Sequence, residues 1–208
     1  MKIAIIGAGN IGGNLARLLV KAGYEVAIAN SRGPETLGEL AKELGPNLHP
    51  MDINGVLKFS DLVILSIHWR SLDSLPVYEV SGKIIVDTTN PYKADGTFYD
   101  LGNDIPSLKV ADHFKGAKIV KAFNTIWYKH LAESGNSSLP VAKRRVIPVA
   151  GDDPKAKSKV SKIIEDIGFG SLDTGSLKEG TQFQNVQGIL YNKELTVREA
   201  ASLISTGR

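Results

Sequence analysis

The sequence predicts an α/β protein with a doubly wound, mostly parallel sheet and a short helical extension at its C-terminus. Three observations carry that prediction. An apolar stretch from Lys2 runs into a glycine turn, Gly7-Ala8-Gly9-Asn10-Ile11-Gly12, that opens an amphipathic helix. Strand and helix signals then alternate to Asp173, and the strands read as apolar runs, as strands covered on both faces require. Residues 175–208 are all that remains, too few for a second large domain.

Each element has its own signal. Ile3, Ile5 and Ile6 mark a first strand buried on both faces. The helix from Ile11 to Lys21 carries Leu15, Leu18 and Leu19 at helical spacing and ends at Gly23. A strand follows over Glu25 to Ala29, then a helix over 35–44 and a short strand around Leu48. Further strands are expected over 62–66, 84–87, 119–123 and 146–149, with a last one ending near Asp173. Asp152-Asp153-Pro154 gives an acidic cap and a first-position proline to a helix over 155–167, with Val160, Ile163, Ile164 and Ile167 on one side. Right-handed crossovers between such strands build a Rossmann-type sheet. Two helices are expected in the tail, and Thr196 with Glu199 forms a capping box for the last. The chain therefore divides into a nucleotide-binding domain, 1–174, and an extension, 175–208, that packs on the cleft or on a dimer partner.

The glycine turn points to a dinucleotide. Gly7 allows the tight turn, Gly9 lets a pyrophosphate approach the backbone, and Gly12 lets the helix pack on the strand. The helix N-terminus offers free N–H groups and a positive dipole end to the diphosphate. Eighteen residues after Gly12, where an NAD fingerprint expects a carboxylate for the ribose, the chain has Asn30, Ser31 and Arg32. A hydroxyl and a guanidinium suit a 2′-phosphate, so NADP(H) is the expected cofactor. The same three residues also suit the cap of the helix near Pro34, a role compatible with phosphate binding.

Composition narrows the setting. No hydrophobic run reaches membrane-span length, no signal-peptide pattern precedes the first strand, and there is no cysteine, so a cytoplasmic location is the expectation. Net charge is only +3, and the compact basic run Lys143-Arg144-Arg145 reads as a solvated loop, which argues against a nucleic-acid partner. His49, His113 and His130 lack metal-ligand spacing.

Ligands of such a sheet bind beyond the strands' carboxyl ends. Three of those ends carry unusual residues: Ser66-Ile67-His68-Trp69-Arg70, Asp87-Thr88-Thr89-Asn90-Pro91-Tyr92 and Ala122-Phe123-Asn124-Thr125-Ile126-Trp127-Tyr128. Polar side chains there suit a carboxamide, and aromatic ones suit a planar partner. Trp127 and Tyr128 read equally as core residues of the following helix. His68 stands where a general acid or base would; the competing reading makes it part of the pocket wall.

These segments resemble the NADP oxidoreductases dependent on the 8-hydroxy-5-deazaflavin coenzyme F420, and the NADPH-binding domain of six-transmembrane metalloreductases. The resemblance spans essentially the whole chain and rests on Gly9-Asn10-Ile11-Gly12, Ser31-Arg32, Ile67-His68-Trp69, Asp87-Thr-Thr-Asn-Pro91 and Lys121-Ala-Phe-Asn-Thr-Ile126, with Pro148–Asp153 and Asp173–Leu177. It implies hydride exchange between NADP(H) and a flat acceptor, coenzyme F420 or a flavin such as FMN or FAD. It also implies that Ala8 to Ile11 hold the diphosphate and Ser31 with Arg32 the 2′-phosphate. Ile67, His68 and Trp69 would border the nicotinamide, with Asn90, Pro91, Ala122 and Asn124 on the other walls. Direct transfer between two rings needs no side-chain base.

Competing readings are reduction of a small imine or carbonyl with His68 as proton donor, reduction of ferric complexes, and a non-enzymatic NADPH-binding redox sensor. A homodimer is expected because Phe183, Val186, Ile189, Leu190 and Tyr191 give the tail an apolar surface; packing within one chain is the alternative.

Overall fold

The computed structural model describes residues 1–75, 80–102 and 104–207. Eight strands form one sheet: β1 (Lys2–Ile6), β2 (Glu25–Ala29), β3 (Leu48–Pro50), β4 (Leu62–Leu65), β5 (Ile84–Asp87), β6 (Lys118–Lys121), β7 (Val146–Gly151) and β8 (Gly170–Gly175). Their order is β3-β2-β1-β4-β5-β6-β7-β8. Every pairing is parallel except β6 with β7. The chain winds outward from β1 to β3, then crosses back to β4 on the other side of β1. That reversal is the switch point where a doubly wound sheet opens a crevice.

The helices are α1 (Asn10–Lys21), α2 (Gly38–Leu44), α3 (Ile53–Phe59), α4 (Pro106–His113), α5 (Tyr128–Glu133), α6 (Pro154–Asp166), α7 (Leu177–Gly180) and α8 (Val197–Thr206). Alternation along β1 sorts them into two layers. Ile3 and Ile5 share a core with Leu15 and Leu19 of α1 and with Val160, Ile163 and Ile164 of α6. Ala4 and Ile6 face the opposite core, with Val56 and Leu57 of α3, Val110 of α4 and Leu177. Both faces of the sheet are covered, which explains the continuous apolar runs. Among the described residues no helix is long and apolar enough to cross a membrane.

Local chemistry sets most boundaries. Asp153 caps α6 by accepting from the Ala156 N–H at 2.8 Å, and Pro154 is its first residue. The capping box of Thr196 and Glu199 opens α8. The helix expected over 35–44 begins instead as a 3-10 turn, Pro34–Leu37, with α2 following from Gly38. The strand expected over 119–123 stops at Lys121, because Phe123 adopts φ +64° and turns the chain out of the sheet. Such a backbone costs about 1–2 kcal/mol in a non-glycine residue; burial of the Phe123 ring opposes it.

The tail packs on its own chain. Leu190 and Ala200 are buried with Val146, and Phe183, Leu195 and Val197 border them. Ile189, by contrast, is exposed. The Tyr191 hydroxyl meets that of Tyr92 at 2.5 Å, and Asn192 N–H donates to the Thr125 carbonyl at 3.0 Å.

The glycines with the least room for a side chain lie at the first turn. A Cβ on Gly12 would sit 1.9 Å from the Gly7 carbonyl oxygen. That oxygen is backbone and cannot swing aside. Gly12→Ala should therefore cost about 1–3 kcal/mol, as overpacking does, lowering Tm by about 2–4 °C for each kcal/mol in a chain of this size. Calorimetry checks this; an unchanged Tm would mean that α1 can slide away from β1.

Candidate nucleotide-binding cleft

The site begins with backbone. The Gly7 N–H donates to the Ala29 carbonyl at 2.8 Å, and the Ser66 N–H to the Ile6 carbonyl at 2.8 Å, so the ends of β1, β2 and β4 are tied together. Gly7 holds φ +106°, and a Cβ there would lie 1.9 Å from the Ser66 carbonyl oxygen. Only glycine fits between the two strand ends.

Gly9 differs. A Cβ built on it would meet nothing within 4 Å. Its openness faces a cleft of about 730 Å³ lined by Gly7 to Ile11, Asn30 to Arg32, Ser66 to His68, Thr88 to Asn90 and Tyr92. That volume falls in the usual range for ligand sites. Gly9 is the N-cap of α1 and supplies no side-chain cap, so the first N–H groups of a twelve-residue helix are left for a ligand.

Asn30 organises the end of β2. Its carbonyl oxygen accepts from the Arg32 N–H at 2.9 Å, and its amide donates to Thr36 Oγ1 at 2.9 Å. The bond to Arg32 spans two residues, the pattern of an Asx-turn. Ser31 and Arg32 are exposed on this turn. Among the described residues the Arg32 guanidinium has no carboxylate partner, which leaves its planar fork available to a phosphate.

The opposite wall comes from β4 and β5. Thr88 Oγ1 donates to the Leu65 carbonyl at 3.1 Å, and Asn90 Nδ2 to the Asn124 carbonyl at 2.8 Å. His68 is exposed in this wall, and among the described residues its ring has no hydrogen-bonding partner to orient it. A general base normally has such a partner.

The structure thus brings Gly7, Ala8, Gly9, Asn10, Ile11, Asn30, Ser31, Arg32, Ser66, Ile67, His68 and Asn90 to one cleft. Five expected residues do not line it. Gly12 is spent on the contact with Gly7. Trp69 is buried, 5.5 Å from the Tyr99 ring and beneath the Lys109 ammonium at 4.8 Å. Pro91 and Ala122 are buried, and Asn124 stands behind Asn90, donating to its side-chain oxygen at 3.2 Å and to the Gln184 carbonyl at 2.9 Å. Trp127 is 45% exposed, so it is not a core residue, and it too lies outside the lining. Thr88 and Thr89 of the polar segment after β5 line the cleft as well, and so do Ser71 and Ser74, which, being short and polar, carry no spacing signal. Tyr191, half-buried against Tyr92, has its hydroxyl pKa raised by burial and then by that hydrogen bond.

A glycine turn open to a cleft, an uncapped helix end and an unpaired guanidinium at the neighbouring strand are the parts from which Rossmann proteins hold a phosphorylated dinucleotide. Comparison with known proteins makes the class specific. Residues 2–91 match the family described as NADP oxidoreductase, coenzyme F420-dependent. A crystal structure of the hypothetical protein SMa0349 from Sinorhizobium meliloti superposes with a TM-score of 0.83 at 30% identity, covering 94% of this chain and 95% of that one. A protein assigned as an F420-dependent NADP-reductase, from Arthrobacter sp. FB24, gives 0.72 at 26% identity, covering 85% and 86%. Metalloreductase STEAP3 of Rattus norvegicus is 29% identical over 185 residues, 89% of this chain and 36% of that protein. The chain thus spans about a third of the length of the curated relatives it matches first.

The open face of Gly9 yields a prediction opposite to that for Gly12. Gly9→Ala should leave Tm unchanged, because the new methyl meets no protein atom. It should weaken NADPH binding by about tenfold or more, near 1.4 kcal/mol, by filling the approach to the backbone. Isothermal titration reads the affinity; full affinity would place the diphosphate elsewhere.

Proposed function

We propose that this chain binds NADPH in the cleft at the switch point and passes reducing equivalents to a flat acceptor, the deazaflavin coenzyme F420 or a flavin. The observation that carries the cofactor half is Arg32, exposed, unpaired among the described residues and set beside Ser31 on the rim shared with Gly9. The acceptor half is supported by the family match and by the Arthrobacter neighbour.

When bound, NADPH supplies a hydride from its nicotinamide. The chain's own residues do the rest. The N–H groups at the start of α1 hold the diphosphate, with Gly9 giving it access. Ser31 and Arg32 hold the 2′-phosphate by charge-assisted bonds. Ile67, His68 and the segment Thr88–Asn90 enclose the ring end and keep water from it. His68 acts as a wall residue, since nothing among the described residues orients its ring. Hydride passage between two rings asks for alignment and water exclusion rather than a proton relay.

A second reading, reduction of a ferric complex, is favoured by the likeness to metalloreductase STEAP3 across 89% of this chain. Both readings share the NADPH site and differ only in what is presented to it.

Two measurements test the proposal. Arg32→Ala should weaken NADPH by about 1.5–3 kcal/mol and leave NADH unaffected; equal losses for both would remove Arg32 from the 2′-phosphate. An anaerobic assay of NADPH oxidation should then offer the deazaflavin, FMN, FAD and ferric chelates in parallel. Saturable reduction of the deazaflavin or a flavin, with NADPH preferred over NADH, is expected. Saturable reduction of the ferric chelate alone would select the second reading, and no turnover with any acceptor would defeat both.

A further inference from the structure

Asp87 and Lys121 face each other as register partners at the ends of β5 and β6. They form an ion pair of 2.9 Å whose side chains are 0% and 2% exposed. Neither lines the cleft, so no bound cofactor would touch them. What they hold is one residue of the cleft wall. Asp87 Oδ1 accepts from both the N–H and the Oγ1–H of Thr89, at 2.9 and 2.7 Å. The Lys121 ammonium donates to the Thr89 carbonyl as well as to Asp87. Ser107 of α4 donates to Asp87 Oδ2 at 2.9 Å. Of these five hydrogen bonds three end on Thr89.

Stability alone does not explain this arrangement. Replacing a buried ion pair by apolar side chains is often neutral or better, whereas removing one partner strands a buried charge. The geometry supplies the reason. With its N–H and its C=O both bound to charged groups, the backbone of Thr89 cannot rotate about either neighbouring peptide. Thr88 is fixed to β4 on one side and Asn90 to Asn124 on the other. We propose that the Asp87–Lys121 pair positions the wall Thr88–Asn90 at the depth that hydride transfer requires. The inference rests on the reading above that this wall borders the nicotinamide.

The test compares Asp87→Leu, Lys121→Met and the double variant. Each single change should lower Tm, and the double variant should be more stable than either, because it strands no charge. In the double variant, amide hydrogen exchange over residues 88–90 should quicken while β1 and β4 keep their protection. With the best acceptor, kcat should fall by about ten- to a hundredfold, as misplacement of reacting groups does, with Kd for NADPH unchanged. Deuterium at the transferred position should then give a larger isotope effect on kcat. Unchanged exchange over 88–90, or an undiminished kcat, would overturn the proposal. If the wild type reduces no acceptor, the functional reading fails, and the exchange arm still decides the positioning role by itself. Should the double variant not fold, Thr89→Val keeps the pair and removes one bond to it. Quickened exchange and a loss in kcat of about three- to tenfold are expected there, and wild-type values of both would overturn the role.

Discussion

Everything in this protein hangs on the close approach of three backbone segments at Gly7, Gly12 and Ser66. The carbonyl of Gly7 occupies the space a Gly12 side chain would need, and that of Ser66 the space a Gly7 side chain would need. With no side chain between them, α1 starts directly over the junction of β1 and β4. Its uncapped N–H groups therefore open at the switch point, where the sheet already leaves a crevice. A side chain at either position would shift the helix axis outward and carry the phosphate-facing end with it. The cofactor half of the site is thus a property of backbone geometry, supplemented by Asn30, which shapes the turn that carries Ser31 and Arg32.

The other half is built from side chains. Along the carboxyl edge of β5 and β6, cross-strand ties follow one another: Asp87 with Lys121, then Asn90 with Asn124, then Asn124 with Gln184 of the tail. This chain of contacts joins the buried centre of the sheet to residues well over a hundred positions from β1. It also accounts for Phe123. The positive φ at that residue breaks β6 early, so that Asn124 can turn back toward Asn90 rather than continue along the sheet. Local strain of about 1–2 kcal/mol is the cost of the tie, and burial of the aromatic ring offsets it.

This division explains what the sequence discloses. The first turn was legible because each glycine answers a steric demand that no other residue meets, and the demand falls at fixed spacing. The strands were legible because both faces are covered, which leaves the apolar runs unbroken. The same logic misses α3, a short helix that carries only two buried residues, Val56 and Leu57. It also misses the antiparallel pairing of β6 with β7, since a single strand's composition does not encode its neighbour's direction. Ser31, Arg32, Ile67 and His68 line the cleft, but Trp69 does not. An aromatic residue one position beyond an exposed histidine can turn into the core, and Trp69 does so against Tyr99 and Lys109. Asp87 and Lys121 fall within two separate motifs, and no spacing marks them as a pair, because the register of β5 on β6 exists only in the folded sheet.

The tail reaches back across the chain to the side-chain half of the cleft. Tyr191 reaches back to Tyr92, Asn192 to Thr125, and the Gln184 carbonyl to Asn124. The tail therefore braces the loops after β5 and β6, which carry the wall beside Asn90. The aromatic residues on that side, Tyr92 with Phe98 at 4.4 Å, lie on a loop held from behind by the tail rather than by the sheet. The backbone half of the cleft is thus fixed by the glycine turn, and the side-chain half by this loop and its brace.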